Sequence, residues 1–293
     1  MIRNFSDYIL EEKVGNGAFS TVYRARSFVN NPPYGKVVAV KLLNEKIIAA
    51  EEHKVIRQFT READISMKLN HENIIRVFTW GRHNGRYALV MEYVDGTNLY
   101  EFIHRPEKFS FQTLLAAVIK IGKGLIYIHK NGIVHKDIKP ENVLVSGDLN
   151  VVKITDFGIA KMPKKWWQRD IFGKAGSERR FSHISYAAPE QKRGHSTHLS
   201  DIYSFGVLMD ELFLTKMTLE GKDEQDYFRR ISNVVFKYRK TQEILSEFLP
   251  MPEGLKELLR KACKENPSDR FQDVSEFVSG LVSFLDSSSS LLH

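Results

Sequence analysis

The 293-residue sequence predicts an α+β protein in two lobes: a small one of mainly antiparallel strands with one helix, and a larger, mainly helical one. Two observations predict it. Short β-branched and aromatic runs, punctuated by Gly, Asn and Pro, fill the first third of the chain. After Asp95-Gly96, apolar residues recur at helical spacing instead. The texture changes near residues 92–96, so the lobes are expected over 1–94 and 95–286. The run Ser287-Ser288-Ser289-Ser290 opens a low-complexity tail, 287–293, expected to be disordered.

In chain order, Tyr8-Ile9-Leu10 leads a first strand toward Val14, Thr21–Ala25 forms a second and Val37–Lys41 a third. Asn30-Asn31-Pro32-Pro33 can only be a turn or loop. From about Glu51 to Leu69, Val55, Phe59, Glu62, Ile65, Ser66 and Leu69 recur at three and four, which predicts a helix. Strands follow around Ile75–Trp80 and Arg86–Tyr93, split by the hairpin turn His83-Asn84-Gly85. Helices are predicted over Phe111–Lys130, Leu199–Leu214, Gln225–Tyr238, Leu255–Cys263 and Val274–Leu285, with a strand at Val151–Ile154. There is no internal repeat.

Apolar content of 42% and charged content of 27% are those of an ordinary globular protein. The single cysteine, Cys263, excludes an internal disulfide framework and fits a reducing compartment. Met1–Asp7 lacks the apolar run of a signal peptide, and no segment reaches the roughly 18 uninterrupted apolar residues of a membrane helix. A cytoplasmic protein without a membrane segment is expected. The formal charge of +7 is concentrated: Lys161, Lys164, Lys165, Arg169, Lys174, Arg179 and Arg180 face only Asp170 and Glu178 within residues 161–180. Trp166-Trp167 stands inside this stretch. A basic, aromatic segment can bind nucleic acid, but acidic or phosphorylated protein substrates are the simpler expectation.

Four constellations carry chemistry. Gly15-Asn16-Gly17-Ala18-Phe19-Ser20 lies between two predicted strands, where glycines let backbone N–H groups approach a phosphate. A strand rather than a helix follows, which disfavours a dinucleotide fold; on its own the glycine pair reads as a turn. Val38-Ala39-Val40-Lys41 ends an apolar strand on a lysine that Glu62 of the next helix could hold toward a phosphate. Glu51 and Glu52 are rival partners at the helix start, where acids offset the dipole. In His135-Lys136-Asp137-Ile138-Lys139-Pro140-Glu141-Asn142, Asp137 can orient an attacking hydroxyl and Lys139 can neutralise charge on a transferring group. Asn142 can share a hard cation with Asp156 of Asp156-Phe157-Gly158, fourteen residues on.

Together these motifs, in this order and followed by Ala188-Pro189-Glu190, resemble the eukaryotic-type serine/threonine protein kinase family over nearly the whole chain, Tyr8 to about Leu285. The resemblance implies the bilobal protein kinase fold, with ATP and Mg²⁺, or Mn²⁺ in its place, bound between the lobes. By position it implies that Asp137 is the base and that Lys139 stabilises transition-state charge. Lys41, held by Glu62, positions the phosphates under Gly15–Ser20, and Asn142 and Asp156 hold metal. It makes Met91 the gatekeeper of an adenine pocket, gives Glu92 and Val94 backbone hydrogen bonds to adenine, and sandwiches the ring between Val22, Ala39 and Leu144. Asp201 is similar to the family's anchoring Asp on a central buried helix, and Arg270 to the Arg that pairs with the Glu of Ala-Pro-Glu, here Glu190. Lys139, two residues after Asp137, goes with Ser/Thr substrates.

Three positions depart from the pattern. Lys136 replaces the usual Arg and lacks its planar fork, which puts control by activation-loop phosphorylation in question. His183, flanked by Ser182 and Ser185, occupies the usual Thr position. Ser66 stands where relatives carry a large apolar side chain, a gap that Met67 or Leu69 could fill. Autophosphorylation of the loop (Ser177, Ser182, Ser185), in trans within a homodimer, is one expectation. The alternatives are a pseudokinase scaffold and a small-molecule phosphotransferase, the latter disfavoured by Ala188-Pro189-Glu190 and Asp201.

Overall fold

A computed structural model describes residues 3–4, 7–17, 20–29, 32–44, 56–57, 59–60, 63–83, 86–105, 107, 109–157, 186–217 and 251–290. Glu62, Ala18, Phe19, Gly158, the basic stretch 161–180, His183 with its flanking serines, and the helix expected over Gln225–Tyr238 lie outside them. The chain forms two compact units, Met1–Asp95 with Phe157–Lys161, and Gly96–Asp156 with Met162–His293.

The first unit is built on a six-stranded sheet. Its strands are β1 (Arg3–Asn4), β2 (Tyr8–Asn16), β3 (Ser20–Ser27), β4 (Val37–Leu43), β5 (Val77–His83) and β6 (Arg86–Glu92), in the order β1-β5-β6-β4-β3-β2. All pairings are antiparallel except β1 with β5. Alternation along β4 explains the two faces. Val38, Val40 and Leu42 bury one side against Tyr8, Ala25, Ala88 and Val90, which leaves Ala39 and Lys41 on the other. The fifth strand starts later than the apolar pattern suggests. Ile74 and Ile75 are buried, but in a turn in which the Ile74 N–H donates to the His71 carbonyl. Residues 63–66 are helical. Near Ser66, itself buried, Leu69 is buried and Met67 exposed, so Leu69 rather than Met67 fills the core there.

The second unit contains a small sheet of β7 (Thr97–Asn98), β8 (Val143–Val145) and β9 (Val152–Ile154). Among the described residues its helices are α1 (Leu99–Ile103), α2 (Phe111–Lys130), α3 (Pro189–Lys192), α4 (His198–Met217), α5 (Glu253–Ala262) and α6 (Val274–Ser290). Asn98 caps α1 by accepting the Glu101 N–H at 2.9 Å, and Ser110 caps α2 by accepting that of Thr113 at 3.1 Å. By length and composition α2 could cross a membrane. Here most of its apolar residues, from Leu114 to Ile128, are buried, and the helix packs on α6, β9 and α4. At Gly122 a Cβ would lie 2.4 Å from Val278 Cγ2, so the α2–α6 crossing needs a glycine.

Helix α4 is buried from Ser200 to Lys216 without a break. A helix buried all round is a central element, and its polar residues Asp201, Ser204, Asp210, Glu211 and Lys216 need partners to be tolerated there. Of the tail expected over 287–293, residues 287–290 are described and belong to helix α6. It continues through Ser290, and the Ser287 hydroxyl donates to the Ser283 and Phe284 carbonyls, which absorbs a polar side chain into the helix.

Candidate active site

In the first unit the sheet register gathers the predicted phosphate and adenine residues on one face. Gly15 pairs with Val22, Val22 with Lys41, and Lys41 with Leu89, so these four stand in a row across four strands. Ala39 pairs with Met91 in the row two residues along. Directly opposed residues share a face, which puts Gly15, Val22, Ala39, Lys41 and Met91 on the side opposite the Val38–Val40–Leu42 core. Ala39 and Met91 are nearly covered, whereas Val22 and Lys41 are half-buried. Beyond Asn16 the Gly17 N–H donates to the Ser20 carbonyl at 2.8 Å and narrows the β2–β3 connection. The Glu92 N–H donates to the Arg76 carbonyl at 2.9 Å, and its carboxylate accepts the Arg76 N–H at 2.6 Å. Val94 follows in an irregular, half-buried segment.

In the second unit the loop from His135 to Asn142 is held from several directions. Asp201, at the start of α4, accepts the backbone N–H groups of His135 at 2.8 Å and Lys136 at 2.7 Å. His129 Nε2 lies 2.9 Å from the same carboxylate. Lys136 has φ +69°, a left-handed conformation unusual for a residue with a Cβ. The Asp137 N–H donates to His135 Nδ1 at 3.3 Å, so the proton sits on Nε2, which donates to the Thr155 carbonyl at 3.2 Å. Burial pushes the His135 imidazole below its ordinary pKa and keeps that neutral tautomer.

Asp137 is thereby presented at the surface with one carboxylate oxygen committed. Its Oδ2 lies 2.9 Å from Lys139 Nζ and accepts Asn142 Nδ2 at 2.9 Å. Asn142 Nδ2 also donates to the Asp137 carbonyl at 2.7 Å. These two bonds fix the amide orientation, so Asn142 Oδ1 is the end left to act as a hard-oxygen donor. The Thr155 N–H donates to the Asn142 carbonyl at 2.9 Å, which puts Asp156, exposed and at φ +54°, one residue from Asn142 across the β8–β9 pairing. An amide oxygen and a carboxylate fit magnesium, which keeps water and phosphate for the rest of its shell. Leu144, half-buried on β8, pairs with Asn98 and Lys153. Asp137, Lys139, Asn142 and Asp156 are thus brought together, whereas the partner of Lys41 expected at Glu62 falls outside the described residues.

The segment after residue 185 is anchored to the same helix. Arg270 is buried and forms a two-pronged pair with Glu190, with Nη1 to Oε1 and Nη2 to Oε2 both at 2.8 Å. Burial raises the Glu190 pKa, but the bonds from Arg270 and the Ser200 hydroxyl outweigh it and hold the carboxyl below its ordinary value. Tyr186 donates to Glu211, and Ser204 to the Tyr186 carbonyl at 2.8 Å. Two site-shaping residues were missed from sequence. His129 has no signal beyond its place in the last turn of α2. Gln191 does: a Gln at the third position of a helix is a capping-box residue.

The family model described as the protein kinase domain matches residues 8–279. A probable serine/threonine-protein kinase of Clostridium perfringens is 31% identical over 277 residues, covering 94% of this chain and 38% of the relative. Serine/threonine-protein kinase PrkC of Bacillus subtilis is 27% identical over 281 residues, covering 95% and 40%. Mouse Aurora kinase C is 29% identical over 266 residues, covering 90% and 87%. The chain spans about two fifths of the length of the bacterial relatives. Among solved structures, the Mycobacterium tuberculosis PknI kinase domain is similar in fold, with TM-score 0.66 and 24% identity, covering 95% of this chain and 96% of that one. The chain belongs to the protein kinase domain family.

Proposed function

We propose that this chain transfers the γ-phosphoryl group of ATP to Ser and Thr hydroxyls of proteins, its own 161–185 segment included. The observation that carries the reading is the Asp137 carboxylate, with Oδ2 pinned by Lys139 Nζ and Asn142 Nδ2 and the group itself partly exposed. So held, it accepts a hydrogen bond from an incoming hydroxyl and receives its proton as that oxygen bonds to the γ-phosphorus and ADP departs. Lys139 compensates charge on the transferring group. This is catalysis by positioning and fixed charge, which dominate phosphoryl transfer.

Magnesium, when bound, neutralises phosphate charge. Asn142 Oδ1 and the Asp156 carboxylate are the groups that would hold it, and manganese suits the same donors. In the first unit, Lys41 with Glu62 serves the α/β-phosphates and the backbone of Gly15, Asn16, Gly17, Ala18, Phe19 and Ser20 covers them. Met91, Glu92, Val94, Val22 and Ala39 are the adenine residues of the first unit, and Leu144 is the residue of the second unit given that role. The division of the chain into kinase lobes at residues 94/95, a cytoplasmic location, a signalling role, and a preference for acidic or phosphorylated sequences near the basic 161–180 stretch belong to the same reading. A second copy of the chain acts as substrate during autophosphorylation.

The test is γ-labelled ATP with Mg²⁺ and a generic Ser/Thr protein substrate, followed by mapping of phosphosites by mass spectrometry. The expected result is label on Ser/Thr of substrate and enzyme that is lost in Lys41→Met. Nucleotide binding without transfer in the unmodified protein refutes the enzyme and leaves the pseudokinase.

A further inference from the structure

Lys136 is the backbone residue on which the orientation of Asp137 turns, and both of its peptide groups are held. Its N–H donates to Asp201 Oδ1 at 2.7 Å, from α4. Its carbonyl accepts Gln191 Nε2 at 3.0 Å, from α3. The other end of the same amide is committed as well, because Gln191 Oε1 accepts the Ala188 N–H at 2.9 Å and closes the N-terminus of α3. One side chain therefore ties the peptide joining Lys136 to Asp137 to the first residues after the 161–185 segment.

The clamp is needed because of the backbone it grips. At φ +69° Lys136 lies where a side-chain-bearing residue is disfavoured, and such a conformation persists only when its surroundings over-determine it. Asp201 fixes the start of the residue; nothing in that carboxylate fixes its carbonyl. If the carbonyl is released, the Lys136–Asp137 peptide is held through the 3.3 Å bond from the Asp137 N–H to His135 Nδ1, and it can rotate toward an ordinary conformation. The Asp137 side chain would then swing away from Lys139 and Asn142. Other features are accounted for by the fold. Lys216 is spent on the Arg105 and Glu107 carbonyls, and the exposed apolar residues Ile9 and Phe28 have nothing to define what covers them.

We infer that Gln191 is a positioning residue for phosphoryl transfer. Through its bond to the Lys136 carbonyl it holds Asp137 in its working orientation and makes that orientation depend on where α3, Pro189–Lys192, is seated. This rests on the catalytic role proposed for Asp137. It adds a contact that acts through the backbone rather than on the substrate.

The two ends of the amide can be separated. Gln191→Glu keeps an acceptor for the Ala188 N–H, and so the helix cap, but loses the donor to Lys136. Gln191→Met loses both. Each is expected to lower kcat about tenfold, the scale of one hydrogen bond made only in the productive geometry, with KM for ATP within about twofold. Lys136→Gly removes the steric penalty at φ +69°. Placed on Gln191→Glu it is expected to restore part of the lost kcat, a non-additive cycle that a merely structural glutamine would not give. Thermal midpoints within a few degrees of the unmodified protein are expected for Gln191→Glu, so that the loss is not one of folding. Unchanged kcat in Gln191→Glu, or strict additivity with Lys136→Gly, overturns the inference. Asp137→Asn is run alongside. Activity surviving in that variant would overturn the catalytic assignment instead, so the two failures are told apart.

Discussion

Replacing Arg270 by Met probes the joint that seats α3 on the body of the second unit. All five N–H donors of the guanidinium are used: Nε to the Lys264 carbonyl at 2.7 Å, Nη1 to Glu190 Oε1 at 2.8 Å and the Leu199 carbonyl at 3.0 Å, Nη2 to Glu190 Oε2 at 2.8 Å and the Glu265 carbonyl at 2.9 Å. The Arg270 side chain is 0% exposed and that of Glu190 14%. Removing the cation leaves a nearly buried carboxylate whose remaining side-chain partner in hand is the Ser200 hydroxyl at 2.7 Å, and it strips three carbonyls of a donor. Breaking a buried pair from one side costs about 3–5 kcal/mol, because the surviving charge is stranded. In a protein of this size that lowers Tm by about 10 °C. Urea and thermal unfolding followed by circular dichroism measure it. The double variant Arg270→Met/Glu190→Gln removes the stranded charge and is expected to recover about 1–2 kcal/mol of the loss. Because the folded Glu190 pKa is depressed, the pair stabilises above the ordinary value of 4.5 and its contribution fades as pH falls below it. The unmodified protein should therefore converge on Arg270→Met in acid. A loss under about 1 kcal/mol at neutral pH, or no recovery in the double variant, would refute this account of a stranded charge.

Three further outcomes are expected. Asp201→Ala removes the acceptor of the His135 and Lys136 N–H groups and should cost about 2–4 kcal/mol in unfolding experiments, with most of the transfer activity lost. Gly96→Ala would set a Cβ 1.9 Å from the Val145 carbonyl oxygen, so backbone must move, and a loss of about 1–3 kcal/mol is expected in the same assay. Burial lowers the Lys216 pKa to about 8, from 10.5. Between those values the unfolded chain holds a proton the folded one has released, so stability should rise with pH across that window; in Lys216→Met this rise should disappear from a pH series of urea midpoints.

Long, strongly patterned elements were legible in the sequence. The predicted bounds of α2, Phe111 to Lys130, are those found, because Ser110 caps its start and Asn131-Gly132 ends it, with Gly132 at φ +69°. The strand predicted over Val37–Lys41 is found within β4, Val37–Leu43. Where local pattern is weak, tertiary context decided. The three-residue strand β8 is too short to show a period, and Ile74 and Ile75 are buried just before β5 rather than in it. Ser287, polar by type, joins α6 by bonding its hydroxyl back to the helix. In the candidate site the residue types at Asp137, Lys139, Asn142 and Asp156 could be read from their order and spacing. The left-handed backbone of Lys136 and Asp156 could not, since no glycine marks either position. Nor could the bond from Gln191, which spans 55 residues of sequence.

The role proposed for Asp137, held by Lys139 and Asn142, is to orient and deprotonate the acceptor hydroxyl. It is tested most directly by single-turnover phosphoryl transfer from ATP with Mg²⁺ in the unmodified protein and in Asp137→Asn, with nucleotide affinity measured on both. Nucleotide binding within about twofold and transfer reduced by about a thousandfold are expected, within the range for loss of a positioned base. Asp137→Asn turning over at the rate of the unmodified protein would contradict that role.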